Sequence, residues 1–309
     1  MAPGTPLPMR RPEPPEITAA LEVDPAALDR KEAELRRIVR EMGEAGGVAV
    51  AHSGGVDSAL LLAIAREELG CRCVAVTARS DSYPAEELAV AERLAASAGA
   101  RHVIVDTAEM EREGYRENSP ERCYFCKTEL FVHLRAIADR EGLSLIAYGA
   151  NLDDTGDHRP GMRAAQEWGV RAPLLEAEMT KAEVRALARR IGLPVWDKPA
   201  YACLSSRVPY GDDITPEKLE RIDAAERAVR GLGFRQFRVR HHDAIARIEI
   251  APEELDRAFE PAMREQLVSR LTALGYRFVA LDLAGYRSGS MNAGLAVGAA
   301  ALEQRESGE

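Results

Sequence analysis

The stretch AVAHSGGVDSALLLAIAREELG, residues 49–70, constrains the fold more than any other part of the 309-residue sequence. An apolar run typical of a strand leads into Ser-Gly-Gly-Val-Asp-Ser, after which the spacing is that of a helix. The start of a helix carries partial positive charge and backbone N–H groups without partners, so this turn is predicted to bind an anion. Gly54 and Gly55 let a phosphate approach the backbone closely.

Short β-rich runs alternate with longer helical runs around this turn. Strands are predicted at 48–51, 73–77, 102–106 and 145–148, and helices at 58–69, 85–98 and 127–140, after an opening helix at 28–42. Strands that alternate with crossover helices form a parallel sheet with helices on both faces, a doubly wound α/β fold. Ligands of such sheets bind beyond the carboxyl ends of the strands, where residues 53–58 lie.

A smaller α+β domain is predicted after a helix at 180–191, which has Thr180 as N-cap and Glu183 three residues later. The irregular segment PVWDKPAYACLSSRVPYGDDIT marks the boundary. Beyond it come a helix at 216–231, two antiparallel strands at 234–242 and 244–251, helices at 252–259 and 262–274, and a strand at 278–283. We therefore predict a flexible proline-rich leader (1–20), a nucleotide-binding domain (21–204), a C-terminal domain for substrate binding and oligomerisation (205–300) and a tail (301–309).

The predicted ATP-binding residues are those of the turn itself: Ser53, Gly54, Gly55, Asp57 and Ser58. A P-loop of the G-x-x-x-x-G-K-[ST] type would bring a lysine to the β- and γ-phosphates, whereas this loop is shorter and contains Asp57. A carboxylate in an anion site is explained by Mg²⁺ that accompanies the phosphates. The loop thus favours pyrophosphate release over γ-phosphate transfer. The alternative is a plain junction in which Asp57 or Ser58 only caps the helix.

Three of the five cysteines are candidates for chemistry. Cys123 and Cys126 form a C-x-x-C whose spacing lets two thiolates face one metal, and Cys203 lies close to Ser206 and Arg207, which favour a reactive thiolate. A closed zinc site needs four ligands, whereas three cysteines leave one metal position open. Incidental thiols or a redox pair are the alternatives.

Composition excludes several classes of partner. Five cysteines without a secretion signal indicate a reducing compartment, and we predict the cytoplasm, with Cys71 and Cys73 in or near the core. The net charge of -9 disfavours nucleic acid. No run of eighteen apolar residues could span a bilayer, so no membrane partner is expected.

Longer segments carry a more specific resemblance. The apolar strand followed by SGGVDS resembles the PP-loop ATP pyrophosphatases, which cleave ATP between the α- and β-phosphates; this implies a doubly wound sheet of the adenine nucleotide alpha hydrolase-like type. Within that group the chain resembles the LarE family, the ATP-dependent sulfur transferases of nickel-pincer cofactor synthesis, which serve lactate racemase. The matching segments, spread over residues 48–292, are AHSGGVDS, NSPERCYFCKTELF, YGANLDDTGDHRPG, TKAEVR, DKPAYACLSSRVPYG, FRVRHHDAIARIEI and LDLAGYRSGSMN.

The resemblance implies a two-stage reaction. ATP adenylates the carboxylates of pyridinium-3,5-biscarboxylic acid mononucleotide, and sulfur then replaces AMP to give the thiocarboxylate. In some members the cysteine matching Cys203 gives up its own sulfur and becomes dehydroalanine. In others, cysteines matching Cys123, Cys126 and Cys203 hold a [4Fe-4S] cluster whose open iron binds the transferred sulfide. Both routes stay open, and we favour the cluster because three thiols in a reducing compartment suit iron–sulfur ligation.

The resemblance also implies further site residues and partners. Glu226 and Glu249 match acidic positions near the family's active site, which implies a divalent ion, and solvated glutamates are the alternative. Guanidinium groups suit the substrate phosphate, and solvated arginines are the alternative. The expected partners are the small-molecule substrate, a sulfide donor and further copies of the chain in a homo-oligomer. The implied substrate-binding set is Asn151, Asp153, Asp154, Arg159, Ser206, Arg207, Arg238 and Arg240.

Three other functions share parts of this pattern. A PP-loop tRNA thiolase would also use ATP and cysteines, but it should show a basic RNA-binding face. An amidating ligase shares the adenylation step and differs in using ammonia. A nucleotide-sensing or metal-binding scaffold would hold ATP without turnover.

Overall fold

A four-stranded parallel sheet forms the centre of the larger part of the molecule. The computed structural model describes residues 23–156, 160–199 and 202–287, so the predicted leader, the tail and Arg159 lie outside the described residues. The strand order is β3-β2-β1-β4, and all three pairings are parallel. Each of the four predicted strands is confirmed: β1 (Val48–Ala51), β2 (Cys73–Arg79), β3 (Arg101–Asp106) and β4 (Leu145–Ala147).

Helices connect and cover these strands as the alternating pattern predicts. Thr180 caps the last of them with a capping box, because its hydroxyl accepts from Glu183 N while the Glu183 carboxylate accepts from Thr180 N. The α-helices are α1 (Pro25–Glu44), α2 (Val56–Leu69), α3 (Ala85–Ser97), α4 (Glu113–Arg116), α5 (Arg122–Arg140), α6 (Pro160–Glu167), α7 (Pro173–Glu176) and α8 (Lys181–Arg190).

Helix α5 begins at Arg122, five residues before the predicted start at 127. Cysteine, tyrosine and phenylalanine are weak helix formers, so the segment RCYFC gives little local signal for a helix. Tertiary contacts override this preference, because the buried Arg122 side chain hydrogen-bonds to the carbonyl oxygen of Ser205 at 3.0 Å. Cys123 and Cys126 therefore lie in the first turns of α5.

The sheet is apolar on both faces, which is the physical basis of the doubly wound fold. Val48 and Val50 of β1 belong to the core cluster formed with α1, α2 and α8. Ala49 and Ala51 alternate with them and belong to a second cluster formed with α5. Strand β1 is consequently buried along its whole length, and it carries the glycine-containing turn at its carboxyl end.

A three-stranded sheet with order β5-β6-β7 forms the smaller part. The predicted hairpin is confirmed, since β5 and β6 pair antiparallel, and β7 adds in parallel to β6. One face packs on helices through an apolar core. The predicted domain boundary between 204 and 205 stays a prediction. The elements are α9 (Pro216–Arg230), β5 (Phe237–His242), β6 (Ile245–Ile250), α10 (Pro252–Phe259), α11 (Pro261–Ala273) and β7 (Phe278–Leu281).

Two sequence predictions about the surface and core have different outcomes. Cys73 is buried at the start of β2, as predicted, and burial raises the pKa of its thiol to about 12. The prediction for Cys71 is wrong, because this residue is exposed in a short 3₁₀ turn between α2 and β2. Across the ranges that the structure describes, no helix is both long enough and apolar enough to cross a membrane.

Candidate active site

The turn between β1 and α2 has the backbone geometry of a phosphate-binding loop. Gly54 has φ +65°, and a Cβ atom there would lie 3.1 Å from Ala91 N, so glycine is required by both conformation and space. Gly55 caps α2 without a side-chain hydrogen bond, which leaves backbone N–H groups of the first turn for an anion. Ser53 N donates to Ser58 Oγ at 3.1 Å, and that hydroxyl donates to Gly55 O at 3.1 Å.

A second glycine, not singled out by the sequence analysis, closes the site from the neighbouring strand. Gly149 follows β4, and a Cβ atom on it would lie 2.8 Å from Ser58 N and 2.9 Å from the carbonyl carbon of Asp57. Only a residue without a side chain allows this approach. The end of β4 therefore packs directly against the first turn of α2.

Asp57 is the centre of a polar cluster built from three separate segments. Its carboxylate accepts from Asn151 Nδ2 at 3.0 Å and forms an ion pair with the Lys181 ammonium. Lys181 N in turn donates to Asp153 Oδ2 at 2.5 Å, and Asn151 N donates to Asp154 Oδ2 at 3.0 Å. The structure thus brings Asn151, Asp153 and Asp154 together beside Asp57, at the carboxyl end of the sheet.

Lys181 is a site residue that sequence reasoning missed, although it lies within the matching segment TKAEVR. The phosphate loop lacks a lysine of its own, and this one reaches Asp57 from 124 residues away. One signal was present in the sequence. A lysine at the first position of a helix opposes the helix dipole, so its presence there calls for another partner.

A cavity of about 960 Å³ opens in front of the phosphate loop. Its volume lies at the upper end of the range for small-molecule sites. On one side the lining includes Ser53, Asp57 and Ser58, and on the other side it includes Cys123 and Lys127 of α5. The same cavity is therefore in contact with both predicted kinds of chemistry, the nucleotide loop and a cysteine.

His52, another cavity residue that was not predicted, is held neutral. It is 2 % exposed, and burial, with a further contribution from the nearby His102, lowers its pKa to about 4. Its Nε2 lies 3.1 Å from the carbonyl oxygen of Ala91 in α3. An uncharged ring next to the loop adds no positive charge to the anion site at neutral pH.

The three candidate cysteines lie on two facing segments. Cys123 is exposed at the cavity, whereas Cys126 and Cys203 are partly buried. Desolvation raises the pKa of the Cys126 thiol, and the Cys203 and Cys123 thiols raise it further. Desolvation and the Cys203 thiol likewise raise the pKa of Cys123, an effect that the Arg122 guanidinium partly offsets. The three thiols are thus close enough to influence one another.

Arg122 is a buried cation between these segments and was not predicted. Its Nη1 donates to Asn118 Oδ1 and to Ser205 O, and its guanidinium lies 5.4 Å from the centre of the Tyr210 ring. Asn118 also donates to Pro209 O at 2.6 Å. These contacts join the start of α5 to the segment that follows Cys203.

Near the small sheet, the predicted acidic residues form ion pairs with two of the predicted arginines. Arg207 and Glu226 form a bidentate pair with distances of 2.8 Å and 3.0 Å, and both side chains are buried. Arg240 pairs with Glu249 at 2.7 Å and donates to the carbonyl oxygen of Ser206 at 2.8 Å.

The Arg238 guanidinium lies 5.0 Å from the centre of the Tyr286 ring. Arg207, Arg238 and Arg240 are all buried, so the alternative that they are solvated arginines is wrong.

The metal-binding roles of the cysteines, Glu226 and Glu249 stay predictions. Within residues 23–156, 160–199 and 202–287, no three or more His, Cys, Asp or Glu side chains are already grouped closely enough to hold a metal ion. Glu226 and Glu249 each pair with an arginine instead. The three thiols of α5 and the Cys203 segment have the donor chemistry of an iron–sulfur site.

Comparisons with known proteins agree with this arrangement. A sequence model described as asparagine synthase matches residues 32–132, which include the phosphate loop. An uncharacterised protein of Synechocystis is 44% identical over 261 residues, 84% of this chain and 97% of the relative. An uncharacterised protein of Methanocaldococcus jannaschii is 25% identical over 259 residues, 84% of this chain and 98% of the relative.

A functionally named relative is similar over nearly the same length. The pyridinium-3,5-bisthiocarboxylic acid mononucleotide synthase of Lactiplantibacillus plantarum is 38% identical over 268 residues, which are 86% of this chain and 95% of the relative. The match thus covers most of the length of both chains. On this identity and coverage, the chain belongs to the LarE family of PP-loop enzymes, the ATP-dependent adenylating sulfur transferases.

Proposed function

We propose that the protein adenylates the carboxylates of pyridinium-3,5-biscarboxylic acid mononucleotide and replaces AMP with sulfur, giving the thiocarboxylate of the nickel-pincer cofactor used by lactate racemase. One observation carries this proposal: Cys123 opens onto the same cavity as Asp57 and Ser58. The name of the Lactiplantibacillus plantarum relative supports the substrate. A shared cavity lets the activated carboxylate meet sulfur without leaving the protein.

In the first stage, a substrate carboxylate oxygen attacks the α-phosphorus of ATP. The bond from that phosphorus to the α–β bridging oxygen breaks, and pyrophosphate leaves with the electron pair. Backbone N–H groups at the start of α2, with Ser53 and Ser58, are placed to hold the leaving group. The Asp57 carboxylate would hold the Mg²⁺ that accompanies ATP, as a hard oxygen ligand, and Lys181 balances negative charge beside it.

In the second stage, sulfur attacks the carbonyl carbon of the acyl adenylate and AMP leaves. Cys123, Cys126 and Cys203 would hold a [4Fe-4S] cluster, which when bound supplies an open iron for sulfide. The buried Arg122 adds fixed positive charge near these thiols, as its effect on the Cys123 pKa indicates. The other route, in which Cys203 gives up its own sulfur, uses the same loop and the same adenylate.

The remaining sequence predictions complete the proposal. Ser206 and the buried arginines 207, 238 and 240 bind the substrate phosphate, and a divalent ion bound by Glu226 and Glu249 would have to displace their arginine partners. The protein acts in the cytoplasm as a homo-oligomer and takes its sulfur from a separate sulfide donor. The basis for these roles, for the location and for the oligomeric state is the membership of the chain in its family.

The decisive experiment is an anaerobic reaction of iron- and sulfide-reconstituted protein with MgATP, sulfide and the dicarboxylate mononucleotide, analysed by product mass. We expect pyrophosphate, AMP and a product in which oxygen is replaced by sulfur. Asp57→Asn should abolish pyrophosphate release while leaving the circular dichroism spectrum unchanged. An amide product when ammonia replaces sulfide, with no thiocarboxylate in the sulfide reaction, would identify an amidating ligase instead.

The same samples separate the two sulfur sources. Brown protein that turns over repeatedly and keeps the mass of Cys203 supports the cluster. Colourless protein that makes a single equivalent of product and converts Cys203 to dehydroalanine supports the sacrificed thiol. Nucleotide binding without pyrophosphate release in either sample would indicate a binding scaffold.

A further inference from the structure

Two consecutive carbonyl groups of the phosphate loop accept hydrogen bonds from side chains outside the loop. The Tyr83 hydroxyl donates to Ser53 O at 2.8 Å. The Lys198 ammonium donates to Gly54 O at 3.1 Å and pairs with Glu87 at 2.6 Å. Backbone N–H groups of the loop remain for the anion, so these contacts do not compete with phosphate. They fix the loop to two other parts of the chain.

Both side chains that contact the loop, Tyr83 and Lys198, are also connected to the segment that carries Cys203. Leu204 N donates to Ser82 O at 3.0 Å, and Ser82 is the neighbour of Tyr83. Lys198 lies five positions before Cys203 in the sequence. The Cys203 segment is therefore linked to the phosphate loop on both sides, through Lys198 before the cysteine and through Leu204 after it.

Helix α8 holds the backbone at Lys198. Arg185 of α8 donates to Trp196 O at 2.6 Å and to Lys198 O at 2.7 Å, which fixes the backbone from which the lysine side chain extends. The side chains of Lys198 and Glu87 are 19% and 12% exposed. At this exposure, charge-assisted hydrogen bonds are stronger than those of a solvated surface pair.

We propose that Lys198 is a positioning residue that ties the Cys203 segment to the phosphate loop, so that sulfur is delivered at the place where the acyl adenylate forms. The inference rests on the proposed sulfur transfer and adds to it a coupling between the two stages. Without this tie, the adenylate still forms at the loop, but sulfur is misplaced and water cleaves the adenylate to AMP and the original carboxylate. A displacement of about 1 Å can slow a reaction about a hundredfold.

The test is the ratio of thiocarboxylate to AMP formed by Lys198→Met and by the parent under the anaerobic conditions above. We expect the ratio to fall at least about tenfold in Lys198→Met and to recover in part in Lys198→Arg, which keeps the charge. Lys31→Met is the matched control, because Lys31 also joins a backbone carbonyl (Glu178 O, 2.7 Å) to a glutamate (Glu183, 2.7 Å), and it contacts neither the loop carbonyls nor the Cys203 segment in these two bonds. Its ratio should equal that of the parent.

An unchanged ratio in Lys198→Met would overturn the proposal, even if both products form more slowly, because a merely structural role slows both stages together. A parent that forms no AMP with the dicarboxylate would mean that the proposed function fails, and a second measurement then decides about the tie. Iodoacetamide labelling of Cys203 in metal-free protein is followed with and without a non-hydrolysable ATP analogue. The analogue should slow labelling in the parent and in Lys31→Met but not in Lys198→Met. An equal response in all three would exclude the tie.

Discussion

Carboxylate–cation pairs occur at both the phosphate loop and the small sheet, and they differ in their contact with water. In the Asp57–Lys181 pair the side chains are 20% and 32% exposed, and Asp57 lines the cavity. In the Arg207–Glu226 pair they are 0% and 1% exposed. An exposed pair exchanges partners at little cost, whereas a buried pair is expensive to break. The first pair can exchange partners with an incoming ligand, whereas the second holds Arg207 in one fixed position.

The buried pair gives the largest expected effect. Glu226→Gln leaves the Arg207 guanidinium buried without its carboxylate and should lower the free energy of unfolding by about 3–5 kcal/mol. Urea denaturation followed by circular dichroism measures this change. Asp223→Asn on the same helix is the control, because its pair with Arg227, at 3.3 Å, is more exposed. The control should cost less than about 1 kcal/mol. Equal losses in the two variants would remove the contrast between buried and exposed pairs.

The exposed pair should show the opposite balance of stability and activity. Lys181→Met should change the free energy of unfolding by less than about 1 kcal/mol, since both side chains contact water. It should slow pyrophosphate release about a hundredfold, because a cation beside the phosphates stabilises charge in the transition state. Pyrophosphate release and urea denaturation are measured on the same preparation. A stable variant with parental rates would show that Lys181 is only a surface partner of Asp57.

The smallest expected effect, counted per pH unit, concerns the neutral histidine beside the loop. The pKa of His52 is about 4 in the folded chain, below its ordinary value of 6.5, so the unfolded chain binds the extra proton between these values. Stability is therefore present above pH 6.5 and is lost as pH falls towards 4, by at most about 1.4 kcal/mol per pH unit. His52→Gln should show a correspondingly smaller pH dependence of the free energy of unfolding in this window. Identical slopes would contradict a buried neutral ring.

The sequence reveals most about features that are local. The phosphate loop was predicted correctly in its placement, because its glycines, hydroxyls and carboxylate lie within six consecutive residues that follow β1 and continue into the first turn of α2. The hairpin of β5 and β6 was predicted for the same reason, since its alternation and its turn are contiguous. In both cases the information needed lies in neighbouring residues.

Ion pairs between side chains that are distant in the sequence could not be predicted from local sequence patterns. Lys181 meets Asp57 only after the sheet has formed, and the pairing of Arg207 with Glu226 depends on how α9 packs. The early start of α5 also depends on a tertiary contact, the one between Arg122 and Ser205. The sequence shows which side chains are acidic, basic or nucleophilic, whereas the fold determines which of them come into contact.

The central position of β1 has a consequence for the timescale of motion at the loop. Strand β1 has neighbours on both sides and is buried on both faces, so its amide protons are expected to exchange with solvent only when the whole domain unfolds. The segment joined to its end must nevertheless receive and release a nucleotide in each cycle. The motion is therefore expected in segments that surround the loop rather than in β1. Deuterium uptake should then be slow in β1 and faster in those segments.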